Sequence, residues 1–399
     1  MSDGSYEAPS SARATDVSVN KTDSSLTMAR RVLADLVASG DPAANIQSAL
    51  AILSAAWLQG CGLAAFAWVR YRALIDLPGI IGADLKRVYY ASLAGTALLH
   101  QTELVTALKA LNDCGIIPVP FKGAALAFTV YPKSECRPMS DLDLWVTNAE
   151  MDTAQQALEA IGYQYKPKSD RPPAIMELYM GERQMYGTRP GTGLVELHWG
   201  VFPGEWLRRT AMVDECVIRQ RLQPTVLLGQ QVALLAPEDA VLQLAAHTVI
   251  NHQLSQIALR SLVDVTLLVR HSLPDWSLII QRARAWRIAT ATWLMLSLAV
   301  DLCGLDEAAE AVRQLAPSPL RQKLIGLFAN AESLVEMRDL SKSKWRYVYL
   351  LLLVDRKRDA VKLVYRALWP EDEWLEARYG RADVRTRLRH VFNAGRGRI

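Results

Sequence analysis

Residues Pro120–Val146 read PFKGAALAFTVYPKSECRPMSDLDLWV, and this stretch decides the fold. Its end, Asp141-Leu142-Asp143-Leu144-Trp145-Val146, alternates charged and apolar residues with a period of two. In a β-strand that period sends successive side chains to opposite faces. Leu142, Leu144 and Val146 then enter a core, while Asp141 and Asp143 stand together over a cleft. Adjacent carboxylates repel, and they ionise together at low cost only beside a cation. Their oxygens suit a hard ion such as Mg²⁺, which is held by one or two carboxylates plus substrate phosphates. Phosphoryl chemistry is the functional reading, and a solvated acidic strand face is the plain alternative.

The residues on either side extend the pattern. Ile116, Ile117, Val119 and Phe121 make a short apolar strand that Pro118 and Pro120 confine to an edge or make irregular. Lys122-Gly123 follows, then a helix from about Ala124 to Tyr131. Glycine permits a tight turn and close backbone approach, and the first helical turn offers unpaired N–H groups to an anion. Lys122 would add a point charge for a phosphate, the plain alternative being a solvated lysine beside a glycine that simply turns the chain. Downstream, Gly193–Trp199 (GLVELHW) alternates again, with Glu196 and His198 on one face and Val195, Leu197 and Trp199 on the other. If the two strands are neighbours, three carboxylates converge, a set able to hold two cations.

The 399 residues are 51% hydrophobic, enough for a sizeable core in two or three structural units, which excludes a disordered or fibrous chain. A formal net charge of +4 is too small to declare a nucleic-acid binder. Cys61, Cys114, Cys136, Cys216 and Cys303 are scattered without Cys-x-x-Cys spacing, so neither a disulfide framework nor a zinc site is indicated and a cytoplasmic location fits. Residues 1–25 are Ser-, Asp-, Thr- and Ala-rich, lack the pattern of a secretory signal and read as a disordered tail.

Residues 26–100 read as an N-terminal helical region, in which Asp41-Pro42 looks like the opening of a second helix. The apolar run from Ile46 to Val69 is interrupted by Gln59, Gly60 and Gly62 and followed by Arg70 and Arg72. It reads as a buried helix broken near Gly60 and not as a membrane span. A further helical period from Asp84 to Leu111 stops at Gly115. Residues 101–235 hold the core described above, and 236–320 a helical region opened by Pro237-Glu238-Asp239. His247 and His252, five apart, fall on different faces of an α-helix, and Arg260 and Asp264, four apart, read as a surface pair. Residues 321–399 are helical and basic, with Lys and Arg among Trp345, Tyr347, Tyr349 and Tyr365. That composition suits an RNA platform or, more plainly, a solvated helix face, while Tyr347–Val354 reads as core.

Phe121-Lys122-Gly123, Tyr131, Arg137, Ser140–Val146 and Val195–Trp199, with Pro237-Glu238-Asp239, His247 and Leu262-Val263-Asp264, resemble the bacterial uncharacterised nucleotidyltransferases of the DNA polymerase beta superfamily. The resemblance implies an α+β chain, predominantly helical, with a small mixed-sheet nucleotidyltransferase core between N-terminal and C-terminal helical regions. It implies a metal-dependent enzyme that moves a nucleoside monophosphate from an NTP to an acceptor hydroxyl of a small molecule, RNA or protein, releasing pyrophosphate. Asp141, Asp143 and Glu196 would be the catalytic, metal-binding set for two Mg²⁺ ions. Lys122, Gly123, Arg137, Ser140, His198 and His247 would line the nucleotide site, with Lys122 and Arg137 on phosphate. Many superfamily members carry Gly-Ser at the helix start, where this chain has Gly123-Ala124, and Glu196 stands where aspartate is more usual. The alternative is a relative without turnover that binds a nucleotide or partner.

Overall fold

The computed structural model describes residues 16–43, 46–74, 80–167, 181–190, 192–255 and 257–395. The fold is α+β: helices surround a five-stranded mixed sheet in the order β1-β2-β5-β4-β3. These strands are β1 Val119–Pro120, β2 Asp141–Trp145, β3 Tyr163–Tyr165, β4 Glu182–Gly187 and β5 Leu194–His198. The central pair β2 and β5 is parallel, and the other pairings are antiparallel. A separate hairpin, β6 Gln223–Leu227 and β7 Gln230–Leu234, leans on β1 through the Ala233 N–H donating to Pro118 O. The two prolines explain why β1 is a two-residue edge strand, since each removes a ladder donor.

Strand alternation sorts the sheet into two chemically distinct faces. Leu142, Leu144, Met185, Val195 and Leu197 are wholly buried on one face, against Leu104, Leu108 and Leu111 of the helix Gln101–Asp113 and Ala154 and Leu158 of the helix Met151–Ala160. The opposite face carries Asp143, Glu196, Gln184, His198 and Glu182 and is covered by the helical part of the chain. A second, larger core joins the N-terminal helices to those after Pro237.

Several sequence expectations need adjustment. Of the expected tail, residues 1–15 lie outside those described, and a helix runs Asp16–Leu36. The apolar run divides into Ile46–Gly60 and Ala64–Tyr71, with Gly62 at a left-handed φ of 72°, as its glycines led one to expect. Asp41-Pro42 does not open the second helix, which begins at Ile46; the Asp35 carboxylate instead accepts from the Ala43 N–H. The period from Asp84 onward is a helix, Ile80–Ser92, that widens into a π-helical segment, Leu93–His100, before Gln101–Asp113. Gly115, at φ 78°, ends it. In Tyr347–Val354 the core reading holds for Tyr349, Leu350, Leu353 and Val354, whereas Tyr347 and Val348 face solvent. Among the described residues no helix is long and apolar enough to cross a membrane.

Candidate active site

The parallel pairing of β2 with β5 puts Asp143 directly beside Glu196 and Trp145 beside His198. Antiparallel pairing on the other side sets Gln184 beside Glu196 and Glu182 beside His198. Ligand atoms of Asp143, Glu196 and His198 lie within 4.8 Å of one another, and all three residues are buried. Asp141 shares their face but pairs with Leu194 at the start of the strand, is half-buried and accepts from the Ser140 hydroxyl at 3.0 Å. The compact cluster is therefore Asp143, Glu196 and His198, with Asp141 toward its rim.

Burying a carboxylate requires compensation, and Asp143 has it. Its Oδ1 accepts from Lys122 Nζ at 2.7 Å and from His198 Nε2 at 2.9 Å. A carboxylate has no proton to give here, so His198 Nε2 carries the hydrogen. Burial alone would raise the Asp143 pKa, but the Lys122 ammonium and the His198 hydrogen bond outweigh it and hold the carboxyl far below its ordinary range. Glu196 accepts from Gln184 Nε2 at 2.6 Å and has His198 Nε2 at 3.6 Å. The Glu182 carboxylate stands 3.6 Å from His198 Nδ1, and Phe121 packs edge-on against the imidazole. Glu182 and Gln184 escaped the sequence reading because Glu-Arg-Gln-Met-Tyr sets three polar residues in a row and shows no alternation of polar with apolar.

Lys122 reaches Asp143 from an unusual backbone, φ 50° and ψ −129°. A residue with a side chain adopts this at a cost of about 1–3 kcal/mol and keeps it only where its surroundings impose it. The tight turn thus falls on Lys122 and not on Gly123, correcting the role expected of the glycine. What Gly123 supplies is space: a Cβ there would meet Arg137 Nη1 at 2.9 Å and the Met139 side chain at 3.0 Å. The helix that follows runs Gly123–Thr129, and Ala124 is fully buried in the sheet core. On the other side of Phe121 and Lys122 opens a cleft of about 330 Å³, walled in part by Leu126, Gln243, Leu244 and Leu268.

Arg137 lies against Gly123, but its guanidinium is occupied. Nε and Nη2 donate to Asp264 at 3.1 and 2.8 Å, and Tyr131 donates to the same carboxylate at 2.7 Å. Asp264 is wholly buried and pairs with Arg137 across the fold, so the expected surface pair with Arg260 does not form. Arg260 instead donates to Pro138 O at 3.1 Å. Burial and the repulsion of Arg137 push its pKa down to about 10, against the opposing pull of Asp264, Tyr131 and Asp141.

The histidines overturn another expectation. His247–Asn251 is a π-helical turn, closed by the His252 N–H donating to His247 O at 3.0 Å. A π-turn stacks residues five apart, so the two imidazoles meet edge to face with Nε2 atoms 2.8 Å apart, where an α-helix would have separated them. Burial, then the nearby positive charge of Lys122, keeps His247 neutral to well below the ordinary histidine pKa. The unfolded chain protonates this histidine near pH 6.5 while the folded one does not, so stability is present above pH 6.5 and declines below it. His247→Gln is expected to shallow that decline. Urea unfolding on either side of pH 6.5 checks it, and an unchanged slope would remove His247 as the source.

A family described as uncharacterised nucleotidyltransferase matches residues 59–304, more than half of the chain, spanning the sheet, Lys122, the carboxylates, His247 and Asp264. No curated protein and no solved structure matches the chain. With the match extending from the broken apolar helix to Gly304, the chain belongs to this family of nucleotidyltransferases and is an enzyme of that class.

Proposed function

We propose that the enzyme transfers a nucleoside monophosphate from an NTP to an acceptor hydroxyl, with pyrophosphate as the leaving group, at the face formed by Asp141, Asp143 and Glu196. The observation that carries this reading is the register of β2 on β5, which seats two buried carboxylates side by side. Carboxylate oxygens on neighbouring strands, one pair buried and one at the rim, fit a hard divalent cation in their donor chemistry. Asp143 and Glu196, with Asp141, would hold Mg²⁺, and His198 is a further nearby donor. When bound, Mg²⁺ neutralises phosphate charge and makes the acceptor oxygen more nucleophilic.

The chain's own groups do the positioning. Lys122 balances the Asp143 charge and presents an ammonium toward the phosphate chain at the start of the helix Gly123–Thr129. His198 locks the Asp143 rotamer through Nε2–H, and Gln184 does the same for Glu196. Ser140 orients Asp141. Arg137 lies behind Gly123 with its charge met by Asp264, and Arg260, held on Pro138 O, adds positive potential toward Asp141. The paired His247 and His252 close the site on the helical side, within electrostatic reach of Lys122 and Asp143. In-line attack then draws on orientation and charge neutralisation for most of its rate.

Incubating the protein with each α-labelled NTP, Mg²⁺ and a lysate of its own cell tests this. Label is expected in one acceptor fraction with one NTP preferred, and it should vanish with chelator. Nucleotide binding without label transfer from any NTP would favour the module without turnover.

A further inference from the structure

The segment from Lys342 to Trp369 holds eight basic residues, at 342, 344, 346, 356, 357, 358, 362 and 366, and two acidic ones, Asp355 and Asp359. Both carboxylates point inward. Asp355 accepts from the Ala289 and Thr290 N–H groups, and Asp359 pairs with Arg287 at 3.0 Å. Arg366 is paired with Glu371 at 2.9 Å and Arg358 lies 3.7 Å from Asp359, and the outer surface stays basic through Lys344, Arg356, Lys357, Arg358 and Lys362, all exposed on it.

Its two helices, Arg346–Leu353 and Lys357–Leu368, also leave apolar residues in solvent. Val361, Val364, Tyr365 and Leu368 recur at helical spacing and are 69, 46, 56 and 50% exposed. Only Leu363 of this helix is buried. The stripe is continuous with an apolar groove shared by the two helices, lined by Leu351, Ala360, Val361, Val364 and Tyr365. Trp345, Tyr347, Val348 and Trp369 are exposed along the same segment.

We propose that this face docks on an anionic membrane surface. A helix with its apolar stripe outward, flanked by lysine and arginine and edged by tryptophan and tyrosine, has the make-up of an interfacial helix. Anionic headgroups meet the cations, the aliphatic side chains enter the acyl boundary, and the aromatic rings sit at headgroup level. RNA satisfies the cations and could stack on the aromatic rings, but it offers nothing to Val361, Val364 and Leu368, which have no π-face and no donor. A helix that lies in the plane of the interface attaches peripherally and reversibly. The proposal stands apart from the reading of the catalytic face and survives if that reading fails.

Cosedimentation of the full chain with vesicles tests it, using phosphatidylcholine alone and an equimolar mixture with phosphatidylglycerol. Binding to the mixed vesicles is expected to exceed binding to phosphatidylcholine at least about tenfold and to weaken with salt. Val361→Asp with Val364→Asp, both at exposed positions, is expected to weaken it about tenfold, and Lys357→Glu with Lys362→Glu by as much. Each variant is expected to keep wild-type thermal unfolding, because the substituted positions are exposed. No vesicle binding, or binding that Val361→Asp with Val364→Asp leaves intact, overturns the proposal. So does capture of a uridine oligonucleotide in place of vesicles, or a dimer in solution that the aspartates split.

Discussion

Asp143→Asn is expected to lower Mg²⁺-dependent label transfer about a thousandfold, near the upper range for removing one charge-stabilising group from a reaction. The amide keeps the size of the side chain and removes its charge, so the face loses half of its buried carboxylate pair. Lys122 and His198, which both donate to the same oxygen, are left with a neutral acceptor. Stability responds as well, and its sign follows from the depressed pKa. Asp143 is ionised in the folded state far below its ordinary value of 3.8, so its contribution is fully present above that pH and is lost on acidification below it. The variant should lack this part of the acid limb. Rates with α-labelled NTP, taken well below the melting temperature, separate the two effects. A folded Asp143→Asn protein with the wild-type rate would remove Asp143 from the chemistry.

Asp264→Ala is expected to destabilise the fold by about 3–5 kcal/mol, the range for removing one partner of a buried ion pair. Asp264 is wholly buried and serves Arg137 twice and Tyr131 once. Without it the Arg137 guanidinium remains buried beside Arg260, without its paired carboxylate. Arg137→Met combined with Asp264→Leu should cost less than Asp264→Ala, because apolar side chains of similar volume need no partner. Urea denaturation of Arg137→Met, Asp264→Leu and their double measures the coupling. Strict additivity would mean that Arg137 and Asp264 are not a unit, and would return Arg137 to a phosphate role.

The carboxylate strand was legible because alternation is a local property. Leu142 and Leu144 fall in the core and Asp143 on the opposite face, as the period of two requires. The breaks near Gly60, where Gly62 takes the left-handed φ, and at Gly115 were legible for the same reason, since glycine marks turns of the chain by its own conformational freedom. The histidine pair was not legible. Whether residues five apart meet depends on one extra residue in a helical turn, which no side chain in His247–His252 advertises. Nor was the partner of Asp264, because the sequence offers Arg260 four residues away and Arg137 more than a hundred, and burial selects the distant one.

Local pattern alone specified the composition of the site: a strand carrying Asp141 and Asp143, another carrying Glu196 and His198, and a lysine-glycine step before a helix. Tertiary structure decided the rest. Parallel pairing with Asp143 opposite Glu196 made two strands one carboxylate cluster, and the strained turn brought Lys122 onto Asp143 while Gly123 made room for Arg137. Period and propensity act over a few residues, whereas strand register and the pairing of buried charges depend on which distant segments the cores bring together.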